Sequence, residues 1–289
     1  MKIISEYDNG NYHIKLYEDG TKEKTTNDDK FVASFPDSID LKITNYCDMS
    51  CPMCHERSNI EGKHGNLKYK FLETLPQGIE LAIGGGNPLA HPKLIEFLTR
   101  MKAKNIICNM TINETHLFQN IYFVKSLLDK KLIYGLGVSI NKYNKELIDF
   151  INDYPNTIIH VILGIVDWNK LIKITDNKAK ILILGYKKFG RGISYFNEDI
   201  IKKINDTENI IEKITSHFGV VGFDNLALKQ LHIKNHLSDD EWNKFYMGKD
   251  GEATMYINLV KERYAVSSTS VVTYKILDDI KDMFNNIRK

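Results

Sequence analysis

Short apolar runs alternating with amphipathic stretches constrain this chain more than any other feature. Strand candidates at 39–43, 79–83, 105–109, 132–140, 157–163 and 180–185 are separated by helix candidates at 67–74, 93–102, 114–128, 145–152, 169–175 and 199–218. Adjacent parallel strands need a crossover of a dozen or more residues, so this alternation reads as a parallel sheet with covering helices. Six such units imply an α/β fold, an incomplete (β/α)6 TIM-like barrel. In barrels the reacting groups collect in the loops after the strands.

The chain brackets this core with shorter pieces. Residues 1–36 read as an N-terminal β-meander, because Asn9-Gly10 and Asp19-Gly20 suit the positive φ angles of tight hairpins. An edge or lid sheet and a substrate-recognition flap are both open for it. Residues 37–218 form the barrel core, and 219–289 a C-terminal α/β extension expected to cover the barrel or shape a pocket. Within that extension, strands are expected at 220–228 and 254–260, a helix from the capping-box spacing of Ser238 and Glu241, and a last helix at 275–287.

With 289 residues and 43% hydrophobic content, the chain can bury one large core. A formal net charge of +2 gives no strong nucleic-acid or anionic-membrane signal. No apolar run approaches a membrane span and no signal peptide is evident, so a cytoplasmic location is expected. Four cysteines are too few for a disulfide framework, in keeping with a reducing compartment.

Three of those four, Cys47, Cys51 and Cys54, fall within eight residues, in the loop after the first core strand. A closed structural zinc site takes four ligands, whereas a [4Fe-4S] cubane held by three thiolates keeps one iron for a non-protein ligand. After the second strand comes Gly84-Gly85-Gly86-Asn87-Pro88. No lysine follows at P-loop spacing and the dinucleotide glycine fingerprint is absent, so phosphate cradling is not favoured.

The Cys-x3-Cys-x2-Cys loop followed by this glycine turn resembles the radical S-adenosylmethionine (radical SAM) superfamily. The resemblance implies that Cys47, Cys51 and Cys54 hold the cluster and that Gly84, Gly85, Gly86, Asn87 and Pro88 receive SAM, with Asn113 and Ser139 touching its ribose or carboxylate. Met53 stands where many members carry an aromatic residue, and Asn87 where a glutamate is usual. The implied activity is reductive cleavage of SAM to a 5'-deoxyadenosyl radical for hydrogen abstraction, in a brown, air-sensitive protein served by an electron donor such as flavodoxin or ferredoxin.

A small metabolite, a nucleoside or a peptide residue are all open as substrate, with a slight lean to a small molecule or nucleotide. The scarcity of cysteines argues against a second cluster of the kind many peptide-maturing relatives carry in C-terminal extensions. The rival reading is a noncatalytic zinc-binding or interaction protein, with His64, or less well His55, as fourth ligand. Arg191, in a basic loop after the sixth strand, is a candidate clamp for a carboxylate or phosphate. Cys108, in an apolar segment, reads as a buried structural thiol.

Overall fold

Apolar alternation along each strand sorts the sheet into two faces. In the computed structural model, which describes residues 2–289, the meander is β1 (Ile3–Asn9), β2 (Tyr12–Tyr17) and β3 (Lys22–Thr25), an antiparallel three-stranded sheet. The core strands β4 (Ser38–Thr44), β5 (Glu80–Gly85), β6 (Ile107–Asn113), β7 (Gly135–Ser139), β8 (Thr157–Ile162), β9 (Lys180–Leu184) and β10 (Val220–Phe223) lie side by side in chain order, all parallel. Then β11 (Thr254–Asn258) returns to pair parallel with the free side of β4, and β12 (Arg263–Ala265) and β13 (Tyr274–Lys275) follow antiparallel. The sheet runs β10 to β13 without closing on itself among the described residues.

The parallel barrel sheet is therefore longer than six strands. Val220–Phe223 joins as a seventh because Val220 to Phe223 register against Lys180 to Ile183. The chain then turns at Asp224 into the helix Asn225–Gln230, which shortens the expected strand at 220–228.

Ile39, Leu41, Ile43, Leu81, Ile83, Met110, Ile112, Val138, Ile159 and Val161 are buried in one core with the covering helices. Each fully buried side chain of this size contributes about 1.5–3 kcal/mol. Many of the alternate positions are small or polar, Asp40 and Lys42, Ala82 and Gly84, Asn109, Thr111 and Asn113, Gly135, Gly137 and Ser139, His160, with Ile107, Ile158 and Leu182 sharing the same face. Because strand side chains alternate between faces, this second row lines the inside of the sheet.

Several helices differ from their sequence expectation for local reasons. The stretch 67–74 keeps only a 3-10 turn at Lys70–Glu73, since Pro76 disfavours helix at the preceding residue. The 114–128 helix is two, Glu114–Gln119 and Ile121–Asp129, broken where the Asn120 side chain donates to the His116 carbonyl at 3.0 Å. The helix expected at 199–218 is interrupted at Ile210. The last helix starts late, at Ile280, where Asp279 caps the Lys281 and Asp282 N–H groups. Ser238 and Glu241 do form the capping box, opening the helix Asp239–Phe245.

The meander sits across the N-terminal ends of the core strands. Lys22 pairs with Glu80, Lys24 with Asp37 at 2.5 Å, and Lys180 donates to the Asp19 carbonyl at 3.0 Å. Asp37, 1% exposed, also accepts from Asn9 and Tyr12. Between meander and strands lies a cavity of about 250 Å³ bordered by Leu16, Tyr17, Asn109, Gly135 and His160. The opposite, C-terminal mouth is thus where the cysteine and glycine loops face.

Candidate active site

The loop that leaves β4 folds back on itself before its thiols can be placed. Asn45 N–H donates to the Lys63 carbonyl and Cys47 N–H to the Asn59 carbonyl, each at 2.8 Å, while Gly65 N–H returns to the Ile43 carbonyl at 2.8 Å. The chain packs so tightly here that a Cβ on Gly62 would lie 1.9 Å from the Asn45 oxygen. Ser50 and Arg57 take positive φ to complete the reversal. Cys47, Cys51 and Cys54 emerge partly exposed and free of disulfides.

The glycine turn is fastened to this loop through backbone. Gly86 N–H donates to the Thr44 carbonyl at 2.9 Å and Asn87 N–H to the Tyr46 carbonyl at 2.6 Å. A Cβ on Gly86 would stand 2.1 Å from the Tyr46 oxygen, and one on Gly85, whose φ is +123°, 2.2 Å from the Thr44 oxygen. Gly84 is different: a Cβ there meets nothing within 4 Å, so it faces open space. Asn87 is buried, its side-chain oxygen accepting from Leu89 N–H at 3.2 Å to start the turn Pro88–Ala90. His91, also buried, bonds through Nε2 to the Gly65 carbonyl at 3.0 Å and fastens the far end of the cysteine loop.

Two further strand ends complete the mouth. Asn113 and Ser139 are direct partners in the β6–β7 register, and Ser139 pairs in turn with His160 on β8. Asn113 is engaged as a helix cap, its Oδ1 accepting from Thr115 N–H at 2.9 Å. Arg191 is not a free clamp. Its guanidinium donates to the Cys51 carbonyl at 2.8 Å and the Ser58 carbonyl at 2.9 Å, and its own N–H to the Cys54 carbonyl at 3.0 Å. Tyr186 is buried, its hydroxyl donating to the Gly192 carbonyl.

Sequence reasoning missed the ionic post under the loop. Lys42, 3% exposed on the inner face of β4, pairs with Glu56 and donates to Asn45 Oδ1 at 2.7 Å. Glu56 also accepts from the Tyr256 hydroxyl at 2.9 Å, and Asn258 donates to that hydroxyl at 3.1 Å, so β11 reaches the cysteine loop directly. Burial pulls the Glu56 carboxyl upward, but Lys42, His55 and the Tyr256 hydroxyl together outweigh it and leave the group below its usual range. Burial, then Lys187, pushes His55 down to about 4. Burial raises the Asp40 carboxyl, with Lys187 opposing. A lysine within an apolar strand just ahead of the cysteine motif is the signal for it in the sequence.

The donor set fits a cluster better than zinc. The three sulfurs do not all lie within 4.8 Å of one another, whereas tetrahedral zinc with bonds near 2.3 Å holds sulfurs about 3.8 Å apart. His64, the expected fourth ligand, bonds to Thr44 Oγ1 through Nδ1 at 2.9 Å. Cys108 is buried and its thiol is pushed up to about 12 by desolvation, as expected of a structural thiol.

No protein-family model matches the chain. It is 30% identical over 81 residues to the PqqA peptide cyclase of Gluconobacter oxydans, a match covering 26% of this chain and 23% of that protein. Among solved structures it resembles Streptococcus suis SuiB bound to its precursor peptide SuiA, with a TM-score of 0.61 and 15% identity over 89% of this chain and 66% of SuiB. SuiB bound to S-adenosylmethionine gives a TM-score of 0.54 at 14% identity over 84% of this chain and 64% of that one. The chain therefore spans a quarter or less of the curated relative it matches and just under two thirds of SuiB. The fold expected from the sequence is borne out: the sheet is an open, mostly parallel α/β partial barrel, and it is shared with SuiB. No helix is long and apolar enough to cross a membrane among the described residues.

Proposed function

We propose that the chain is a radical SAM enzyme acting on a residue of a peptide. The observation that carries this is the fastening of the cysteine loop to the glycine turn by Gly86 N–H to Thr44 and Asn87 N–H to Tyr46, at the C-terminal mouth of the partial barrel. A [4Fe-4S] cluster on Cys47, Cys51 and Cys54, with SAM, would supply one-electron cleavage of SAM and a 5'-deoxyadenosyl radical for hydrogen abstraction.

The chain's own residues do the remaining work. Gly84, with open space beside its Cα, leaves room for SAM, and carbonyls of Gly84 to Gly86 would accept from its ammonium in place of the carboxylate that Asn87 lacks. Asn87 and Pro88 shape the turn, while Asn113 and Ser139 lie on adjacent strand ends where ribose and carboxylate would rest. Lys42 and Glu56 hold the loop against β4 and β11. The meander closes the far end of the barrel against water, which would otherwise quench a reactive radical. Electrons would come from a donor such as flavodoxin or ferredoxin.

The peptide class is supported by SuiB's bound precursor peptide and by the PqqA peptide cyclase match, and it displaces the lean towards a small molecule. The test is 5'-deoxyadenosine formation from SAM by anaerobically purified, iron-reconstituted protein with a chemical reductant. Product from the wild type and none from a variant with Cys47, Cys51 and Cys54 all changed to alanine supports the reading. A colourless protein carrying zinc and forming no product overturns it.

A further inference from the structure

We propose a mononuclear site for a divalent transition metal at Cys47, Asp48 and His116, occupied in the chain before any cluster is present. The thiol of Cys47, a carboxylate oxygen of Asp48 and a ring nitrogen of His116 all lie within 4.8 Å of one another. These residues come from two separated elements, the cysteine loop and the helix Glu114–Gln119 after β6.

His116 is the informative member. It is 1% exposed, and its Nε2–H donates to Asp48 Oδ1 at 2.6 Å. Its other ring nitrogen is buried without any hydrogen-bond partner. The single polar contact of this imidazole is with the residue next to Cys47, so the ring is held against the thiol loop by one shared proton. A divalent cation would take that proton's place on Nε2, with the ring's remaining proton carried on Nδ1, and Asp48 and the Cys47 thiolate would supply the other donors.

The donor chemistry narrows the cation. One sulfur, one nitrogen and one oxygen suit ferrous iron, cobalt or zinc, whereas magnesium and calcium take oxygen ligands throughout. Bonds of about 2.0–2.3 Å require donors about 3.3–3.8 Å apart. Asp48 is exposed and Cys47 half-buried, so small side-chain rotations of both close the remaining distance. Cys51 and Cys54 are not members of this group, and Cys47 cannot serve it and a cluster together. The site is therefore one of the cluster-free chain.

The donors converge whether or not the chain proves to be a radical SAM enzyme, so either reading survives failure of the other. The experiment is titration of cluster-free protein with Co²⁺, read by thiolate-to-cobalt charge-transfer absorption and by bound metal per chain. The double variant Cys51→Ala, Cys54→Ala is expected to keep one cobalt with its charge-transfer band. Cys47→Ala loses the band. Asp48→Ala, at an exposed position, and His116→Gln weaken binding by more than about tenfold, since even outer partners of a metal ligand are worth 10–100-fold. Cobalt bound as tightly in Asp48→Ala and His116→Gln as in the wild type, or lost from the double variant, overturns the site. Asp48→Ala keeps the test valid if the buried His116 variant does not fold.

Discussion

Gly84 and Gly86 stand two residues apart in one turn, and the structure assigns them opposite sensitivities. In Gly86→Ala the new Cβ falls 2.1 Å from the Tyr46 oxygen and 2.7 Å from its carbon. An ordinary carbon–oxygen contact is over 3 Å, so the cysteine loop and the turn must part by about 1 Å. That motion strains both backbone bonds between them, Gly86 N–H to Thr44 and Asn87 N–H to Tyr46. Each is worth about 0.5–1.5 kcal/mol, and overpacking adds about 1–3 kcal/mol, giving a loss of about 2–6 kcal/mol. At about 2.1 cal/mol/K of unfolding entropy per residue, a chain of 289 residues shifts by about 1.6 °C per kcal/mol, so the melting temperature drops by about 3–10 °C. A displacement of 1 Å also costs about a hundredfold in rate where positioning matters. Gly84→Ala, with nothing within 4 Å of its Cβ, melts within about 1 kcal/mol of the wild type but binds SAM more weakly, because the methyl enters the proposed pocket. The assays are thermal denaturation of cluster-free protein and equilibrium SAM binding by the reconstituted one. Equal melting of the two variants would refute the reasoning, as would unimpaired SAM binding by Gly84→Ala.

Lys42→Met leaves the Glu56 carboxylate without its cation beside Tyr256, and removing one partner of a buried pair costs about 3–5 kcal/mol; adding Glu56→Gln restores a large part of the loss in denaturant titrations. His160 has its folded pKa lowered by burial to about 4 from 6.5, so its contribution is fully present above pH 6.5 and is lost as pH falls towards 4, by about 1.4 kcal/mol per pH unit and about 3 kcal/mol in all. The stability difference between wild type and His160→Gln, followed from pH 7 to pH 4, shows this slope; a pH-independent difference contradicts it. Cys108 resists thiol reagents in the native chain while Cys47, Cys51 and Cys54 react, and protection of four cysteines or of none, seen by mass spectrometry, contradicts the placement.

The parallel strands from β4 to β9 were legible because each is an apolar run whose period and length leave little choice. The inner row was harder to see. Asp40, Lys42, Asn109 and His160 sit within those runs, and only the pleat shows that they turn inward together. The cysteine and glycine loops were legible as motifs, whereas the bonds joining them run between main-chain atoms that no side-chain pattern encodes. Arg191 illustrates the limit from the other direction. Its charge suggested an anion, yet the fold brings it to the carbonyls of Cys51 and Ser58, some 130 or more residues away in sequence. Helix breaks at Asn120 and Ile210 were hidden for a related reason, since both stretches keep the apolar period on either side of the interruption.

These fastenings have a common logic. Arg191 holds the carbonyls of Cys51 and Ser58, its own N–H holds Cys54, the glycine turn holds Thr44 and Tyr46, and Lys42 with Tyr256 holds Glu56. All four use carbonyls or a carboxylate of the loop, so its path is fixed while the thiols of Cys47, Cys51 and Cys54 are left out of disulfides. A loop that depended on metal for its shape would instead have a bare, unbonded backbone, as structural zinc loops do before folding on their ion. Cluster removal should therefore leave the far-ultraviolet circular dichroism and the native protection of loop amides at Cys47, Cys54 and Arg57 largely intact in hydrogen exchange, since these N–H groups bond to Asn59, Cys51 and Cys54 carbonyls without any metal. Full exchange of those amides in the cluster-free chain, with the rest of β4 still protected, would show that the metal folds the loop.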